Sequence, residues 1–349
     1  MKKTISIFLI LTLTVALFAG CAGTPVIYYS DCTCPTGSHI ATPEHTPTTE
    51  GALKTGLAIT ASVAKSENAK VADYDVTVVA VTVDDNGVIQ DCIIDSVGAK
   101  VEFDDKGVIT SDLSAEVLTK NELGDNYNMK LYGNAKYEWY EQAAALANYA
   151  KGKTVAELKQ GAVNEAGKAA DADLASKATI YLGGYVAAIE KAVANAQHLG
   201  AEAGDELKLA VINSIGSSVS ATAEKAGTAQ LDCDVVALTQ KDGKITSCAI
   251  DSLQAKVSFD TTGTISTDLT AAVATKNELG EGYGMKAWGN AKYEWNEQAA
   301  SFAAYVTGKT AAEVAGIAVA EGKPSDVDLS ATVTIAIGGF QALIAKAMQ

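Results

Sequence analysis

Each half of the chain opens with short runs of β-branched residues broken by glycine-containing turns. The stretch "YDVTVVAVTVDDNGVIQDCIIDSV" (Tyr74–Val97) sets two such runs on either side of Asn86-Gly87, and "LTQKDGKITSCAI" (Leu238–Ile250) does the same around Asp242-Gly243. Both are hairpin signals, because Asn-Gly and Asp-Gly supply the positive φ that a tight turn needs. A second hairpin is expected in each half, over "AKVEFDDKGVIT" (99–110) and "AKVSFDTTGTIS" (255–266). The pattern then changes period. In "YEWYEQAAALANYA", Trp139, Ala143, Leu146 and Ala150 recur at helical spacing and predict an amphipathic helix. "KGK" ends it, and "TVAE" (Thr154–Glu157) or "TAAE" (Thr310–Glu313) has the form of a capping box that starts another. Each half closes on an apolar run, Ser176–Ala196 and Ser330–Met348, read as a turn leading into a last helix.

These elements occur twice because the chain is an internal repeat. Cys92, Asp95, Trp139 and Gly152 reappear as Cys248, Asp251, Trp295 and Gly308, at a constant offset of 156. That period is too long for a solenoid unit, so the chain holds two copies of one domain, 52–197 and 205–349. The expected class is α+β, each copy an antiparallel sheet with helices segregated to one side. One segment has changed least: of the 24 positions in 119–142 and 275–298, 18 are identical.

The N-terminus alters the picture of where the protein works. Lys2 and Lys3 precede an apolar run, residues 4–20, that ends in small residues before Cys21. This reads as a signal peptide over 1–20, with Cys21 the lipidated first residue of the mature chain, anchored to a membrane rather than spanning it. Residues 21–51 carry four of the five prolines and little apolar periodicity, as expected of a flexible tether. Cys32, Cys34, His39 and His45 lie there, at a spacing that matches no established zinc pattern.

Charge and residue inventory then remove several chemistries. The net charge is −15 and the chain contains no arginine, which argues against a nucleic-acid partner. His198 is the only histidine beyond the tether and lies between the copies, so neither domain can build a histidine-dependent triad or metal centre. No glycine-rich phosphate loop is present. Glu138 and Glu141, repeated as Glu294 and Glu297, sit three apart on a helix; this is either a solvated face or an acid pair. Counting back from Asp242-Gly243 places Cys233 opposite residue 252 and Cys248 opposite residue 237. That register leaves the two thiols roughly 13 Å apart along the strands, too far for a disulfide. Buried free thiols are expected.

Three features in fixed order, "NELGDNY", "EWYEQAAALANYAKGK" and "DADLASKATIYLGGYVAAIEKA", resemble the FMN-binding domain of respiratory flavin subunits. The paired copies behind a lipoprotein signal are most similar to two-domain surface flavin lipoproteins of Gram-positive bacteria, some of which also release a signal-peptide pheromone. In that family a flavin transferase joins FMN, through its phosphate, to the threonine of a D-x-x-S-G-A-T motif. Here Asp173, Ser176, Ala178 and Thr179 match the motif as "DLASKAT", with Lys177 in place of glycine. "DLSATVT" keeps Asp328 and Thr334 but departs between them.

The resemblance implies two covalent FMN groups per chain, on Thr179 and Thr334, and an electron carrier rather than a stand-alone catalyst. It would take electrons from a membrane quinol-oxidising donor and pass them to an extracellular acceptor. The repeated segment would then enclose the ring. Tyr127, Met129 and Trp139, with Tyr283, Met285 and Trp295, would offer stacking and polarisable contacts. Lys130 and Lys286 would face the phosphate or the reduced ring. Two other readings stand beside these: the tryptophans as plain core, and the duplicated cleft as a cofactor-free site for a ligand or polymer.

Overall fold

The computed structural model describes residues 51–349; the expected signal peptide, Cys21 and the expected tether up to Glu50 lie outside them. The first copy runs β1 (Lys54–Ser62), β2 (Val71–Val83), β3 (Ile89–Glu102), α1 (Lys120–Leu123), α2 (Met129–Gly133), α3 (Trp139–Ala150), α4 (Val155–Ala162), α5 (Ala172–Ala175) and α6 (Gly183–Ala194). The second runs β4 (Glu206–Ser214), β5 (Gly227–Lys241), β6 (Lys244–Phe259), α7 (Lys276–Leu279), α8 (Met285–Gly289), α9 (Trp295–Val306), α10 (Ala311–Ala315), a two-residue ribbon of β7 (Val319–Ala320) and β8 (Lys323–Pro324), α11 (Val327–Ser330) and α12 (Gly338–Ala347). Each large sheet is antiparallel and three-stranded, ordered β1-β2-β3 or β4-β5-β6. The class is therefore α+β.

The main hairpins form as their turn residues dictate. Asp242 and Gly243 both take positive φ, 52° and 75°, and pair Lys241 with Lys244. A bulge at Thr239/Gln240 then shifts the register by one, so Cys233 faces Leu253 and Cys248 faces Leu238 rather than 252 and 237. The two thiols also point to opposite sides of the sheet, Cys233 toward the other sheet and Cys248 toward the helices. Both are free and buried, as is Cys92. The expected second hairpins shrink to single bridges, Phe103 to Ile109 and Phe259 to Ile265. The first strand of each copy, β1 and β4, was not anticipated.

The two copies share a core. In β2, Val79 and Val81 face α3 and α6, whereas Val76, Val78 and Ala80 face the second sheet. A sheet apolar on both faces must be covered twice, and here the helices cover one face and the other copy's sheet covers the other. At the centre, Phe103 and Phe259 stack with ring centroids 4.0 Å apart and planes 2° from parallel. The ties around them are reciprocal, as in an isologous interface. Ala69 N–H donates to Gly263 O at 2.7 Å, and Ala221 N–H to Gly107 O at 2.8 Å. A Cβ at Gly107 or Gly263 would come within 2.4 or 2.6 Å of the carbonyl oxygen of Asp260 or Asp104, so this close approach requires glycine. Further out, Lys191 on α6 pairs with Glu278 on α7 at 2.6 Å, and Lys346 on α12 pairs with Glu122 on α1.

A shared core makes unfolding cooperative. Phe259→Ala should lower stability by about 3–5 kcal/mol, read as a lower denaturant midpoint in one transition common to both copies. Two separate transitions, only one of them moved, would contradict a common core.

Candidate functional site

The 24-residue segment repeated almost unchanged is a polar framework built against the edge of each sheet. Thr119 caps α1, and Glu122 returns the bond to the Thr119 N–H at 2.8 Å. Asp95, buried on β3, accepts from Ser96 N–H at 2.7 Å and Asn121 N–H at 3.1 Å, while Asn121 Nδ2 donates to Ile94 O. Asp251 and Asn277 repeat this bond for bond. Glu138, only 3% exposed, accepts from Met129 N–H at 2.7 Å and Lys130 N–H at 3.0 Å, while its own N–H donates to Glu141. Glu294 does the same with Met285, Lys286 and Glu297. The acid pair of the sequence is thus two caps, one on α2 and one on α3. The six positions that differ between the copies, such as Leu131/Ala287 and Tyr132/Trp288, are exposed or half-exposed in the first copy. Identity is kept where side chains hold one another.

The framework ends at Gln142 and Gln298, which connect it to the two motif threonines. Gln142 Oε1 accepts from Thr179 N–H at 2.7 Å, Ile180 N–H at 3.1 Å and Thr179 Oγ1 at 3.2 Å, and its Nε2 donates to Tyr137 O at 2.9 Å. Gln298 holds Thr334 and Ile335 in the same way. Both glutamines are buried, and both threonine side chains are exposed. Asp173 and Asp328 are exposed in the first turns of α5 and α11, which are capped instead by Asp171 and Asp326. Ser176 donates to Asp173 O at 2.7 Å, and so trims the end of α5. Lys177 does not take positive φ, so its position has no conformational need for the motif's glycine. Ala178 and Val333 are both buried, each in its own copy's core.

Beside Thr334 lies a cleft of about 380 Å³ lined by Asp234, Lys276, Tyr283, Met285 and Trp295, with Ile335 and Phe340 among the other walls. Three expected residues, Tyr283, Met285 and Trp295, therefore meet there. Lys276 Nζ stands 5.3 Å above the Tyr283 ring and 4.8 Å above the Trp295 ring. Burial pushes its ammonium below the usual lysine range, and among the described residues no carboxylate comes within ion-pair distance of it. In the first copy Lys120 Nζ lies 5.2 Å from both Tyr127 and Trp139, and Trp139 Nε1 donates to Tyr185 Oη at 3.0 Å. Trp139 and Trp295 are 2% and 6% exposed, so they serve as core and as cleft wall together. Lys130 and Lys286 pair instead, each at 2.8 Å, with the glutamate that closes the capping box of α3 or α9, Glu141 or Glu297.

The cations over the aromatic rings are thus Lys120 and Lys276, which sequence reasoning passed over although they stand in the repeated "TKNEL". Gln142 and Gln298 were missed too; their signal was the invariant "EQ" closing that segment. A larger hollow, about 860 Å³, lies elsewhere, between α6 and α9, lined by residues such as Leu57, His198 and Asn296. Size alone would favour it; the cleft at the threonine gathers more of the duplicated side chains. No protein-family model, curated protein or solved structure matches this chain.

Two consequences are measurable. Gln142→Ala leaves buried donors and the Tyr137 carbonyl unpaired, and should cost about 1–3 kcal/mol and speed proteolysis near Thr179; unchanged proteolysis would contradict its anchoring role. Burial lifts Asp95 and Asp251 from 3.8 to about 6, against the opposing pull of bonds from Thr119 or Thr275 and neighbouring N–H groups. The folded state therefore holds protons that the unfolded state releases. The stability from these carboxyls is full below the unfolded value near 3.8 and lost as pH rises through about 6. Each contributes on the order of 2–3 kcal/mol to that slope. Denaturant titrations from pH 4 to 7 should show the decline flattened in Asp95→Asn/Asp251→Asn; an identical slope would exclude these groups as its source.

Proposed function

We propose that the chain is a lipid-anchored extracytoplasmic electron carrier holding FMN covalently on Thr179 and Thr334. One observation supports this above the others. In both copies an exposed threonine, its backbone tied down by a buried glutamine, sits in the same framework as a tryptophan, a tyrosine and a lysine that has no ion-pair partner among the described residues. These residues suit FMN: the hydroxyl would take the phosphate linkage, the aromatic and thioether groups would line the ring, and the lysine would balance its charge on reduction. Bound FMN would supply reversible uptake and release of electrons, a task that asks for no histidine, metal or nucleophile.

The protein's own part is positioning. Gln142 and Gln298 fix the threonine backbone, and the capped α1 and α7 fix the lysines over the tryptophans. A covalent link keeps the cofactor at high effective concentration outside the cell, and a lipid on Cys21 with a flexible tether would let the carrier move between donor and acceptor. A flavin transferase, a quinol-oxidising membrane donor and an extracellular acceptor are the partners of this reading.

Intact-mass measurement after coexpression with a flavin transferase tests it. The mature chain should gain two FMN groups, each with loss of one water; Thr179→Ala or Thr334→Ala should gain one, and the double variant none. A wild-type chain of unmodified mass would overturn the proposal.

A further inference from the structure

Asp234, which lines the cleft beside Trp295, has an uncharged counterpart in the first copy. Strand register pairs Asp234 with Ser252 in the second copy and Thr77 with Ser96 in the first, so Thr77 occupies the place of Asp234. Around this position the walls match lysine for lysine and methionine for methionine, and exchange only uncharged groups, as with Phe340 for Tyr185. Lys120 over Trp139 thus has no carboxylate at this place, whereas Lys276 over Trp295 shares its cleft with Asp234. Two strand residues further back, Asp75 is paired with Lys65 at 3.0 Å, whereas its counterpart Asp232 bonds only neutral groups, Ser217, Gln230 and Gln254. Near Thr179, Lys168 Nζ donates to the threonine carbonyl at 2.7 Å and stands 4.4 Å over Tyr181. Lys323, at the same place in the second copy, is exposed, and no such bond is present there among the described residues.

Resting on the FMN reading above, we infer that the two sites are unequal in potential, Asp234 making the Thr334 site the poorer electron acceptor. Adding electrons to a ring beside Lys276 and Asp234, whose charges offset each other, would gain less Coulomb energy than the same addition beside Lys120 and an uncharged Thr77. Reduction would therefore be more favourable for a group on Thr179 than for one on Thr334.

Single-site proteins test this directly. Thr334→Ala retains only the Thr179 site and Thr179→Ala only the Thr334 site. At a fixed potential their reduced-to-oxidised ratios should differ by about tenfold, equivalent to about 30 mV for a two-electron couple, with the Thr179 site higher. Asp234→Thr in the Thr179→Ala protein should close the gap, and Thr77→Asp in the Thr334→Ala protein should lower its site; Asp234→Asn serves if the threonine variant folds poorly. Coincident titrations, or swaps that leave both unmoved, would overturn the inference. If neither protein takes up flavin, the FMN reading fails, and the charge difference is then read on the bare chain. Iodide, relative to acrylamide, should quench a protein keeping only Trp139 more than one keeping only Trp295, and Asp234→Asn should raise the latter. Equal ratios would end the proposal.

Discussion

Everything in this molecule depends on a sheet that is apolar on both faces. A three-stranded sheet with helices on one side still exposes a full apolar surface on the other, which water penalises by roughly 25 cal/mol per Å². Each copy resolves this with its sibling: Val76, Val78 and Phe103 meet Val235, Val257 and Phe259 in one core. Duplication within one chain makes this pairing intramolecular, with no concentration dependence. It also sets the helices on the outer faces, away from the shared core.

Within each copy the order of rigidity runs from the sheet outward. Buried Asp95 and Asp251 fasten α1 and α7 to the strand edge. Those helices carry the lysines that lie over the tryptophans, and the tryptophan helices carry the glutamines that hold the motif threonines. A change at any link disturbs the next, which accounts for a segment repeated nearly unaltered while the strands and the threonine motif have drifted. The tolerance of the motif has its own cause. Lys177 needs no special backbone, Val333 fills space in its core as Ala178 does in the other, and the caps belong to Asp171 and Asp326, two residues before the matched aspartates.

Much of the fold was legible because the signals were local. The Asp242-Gly243 turn, the Trp139–Ala150 spacing and the Thr154 and Thr310 capping boxes depend only on near neighbours, and each formed as read. Strands β1 and β4 were passed over because their partners lie in later strands, and the one-residue bulge at Thr239/Gln240 leaves no mark in composition. The face-to-face packing of the copies is a property of two surfaces, and no single stretch declares it. At the site, the aromatic and methionine residues announced themselves by type. Glu138 looked like surface or catalytic acid because its partners, the N–H groups of Met129 and Lys130, belong to the backbone. Lys130 and Lys120 could not be told apart without knowing that Glu141 lies within reach of the first and aromatic rings beneath the second.

The central claim is chemical: this framework holds a cofactor that cannot dissociate. A visible spectrum of the protein from its native host, recorded after acid precipitation, washing and redissolution in denaturant, asks that question without any engineered variant. A flavin spectrum that stays with the unfolded chain is the predicted result. A colourless chain, with any flavin left in the wash, would contradict it.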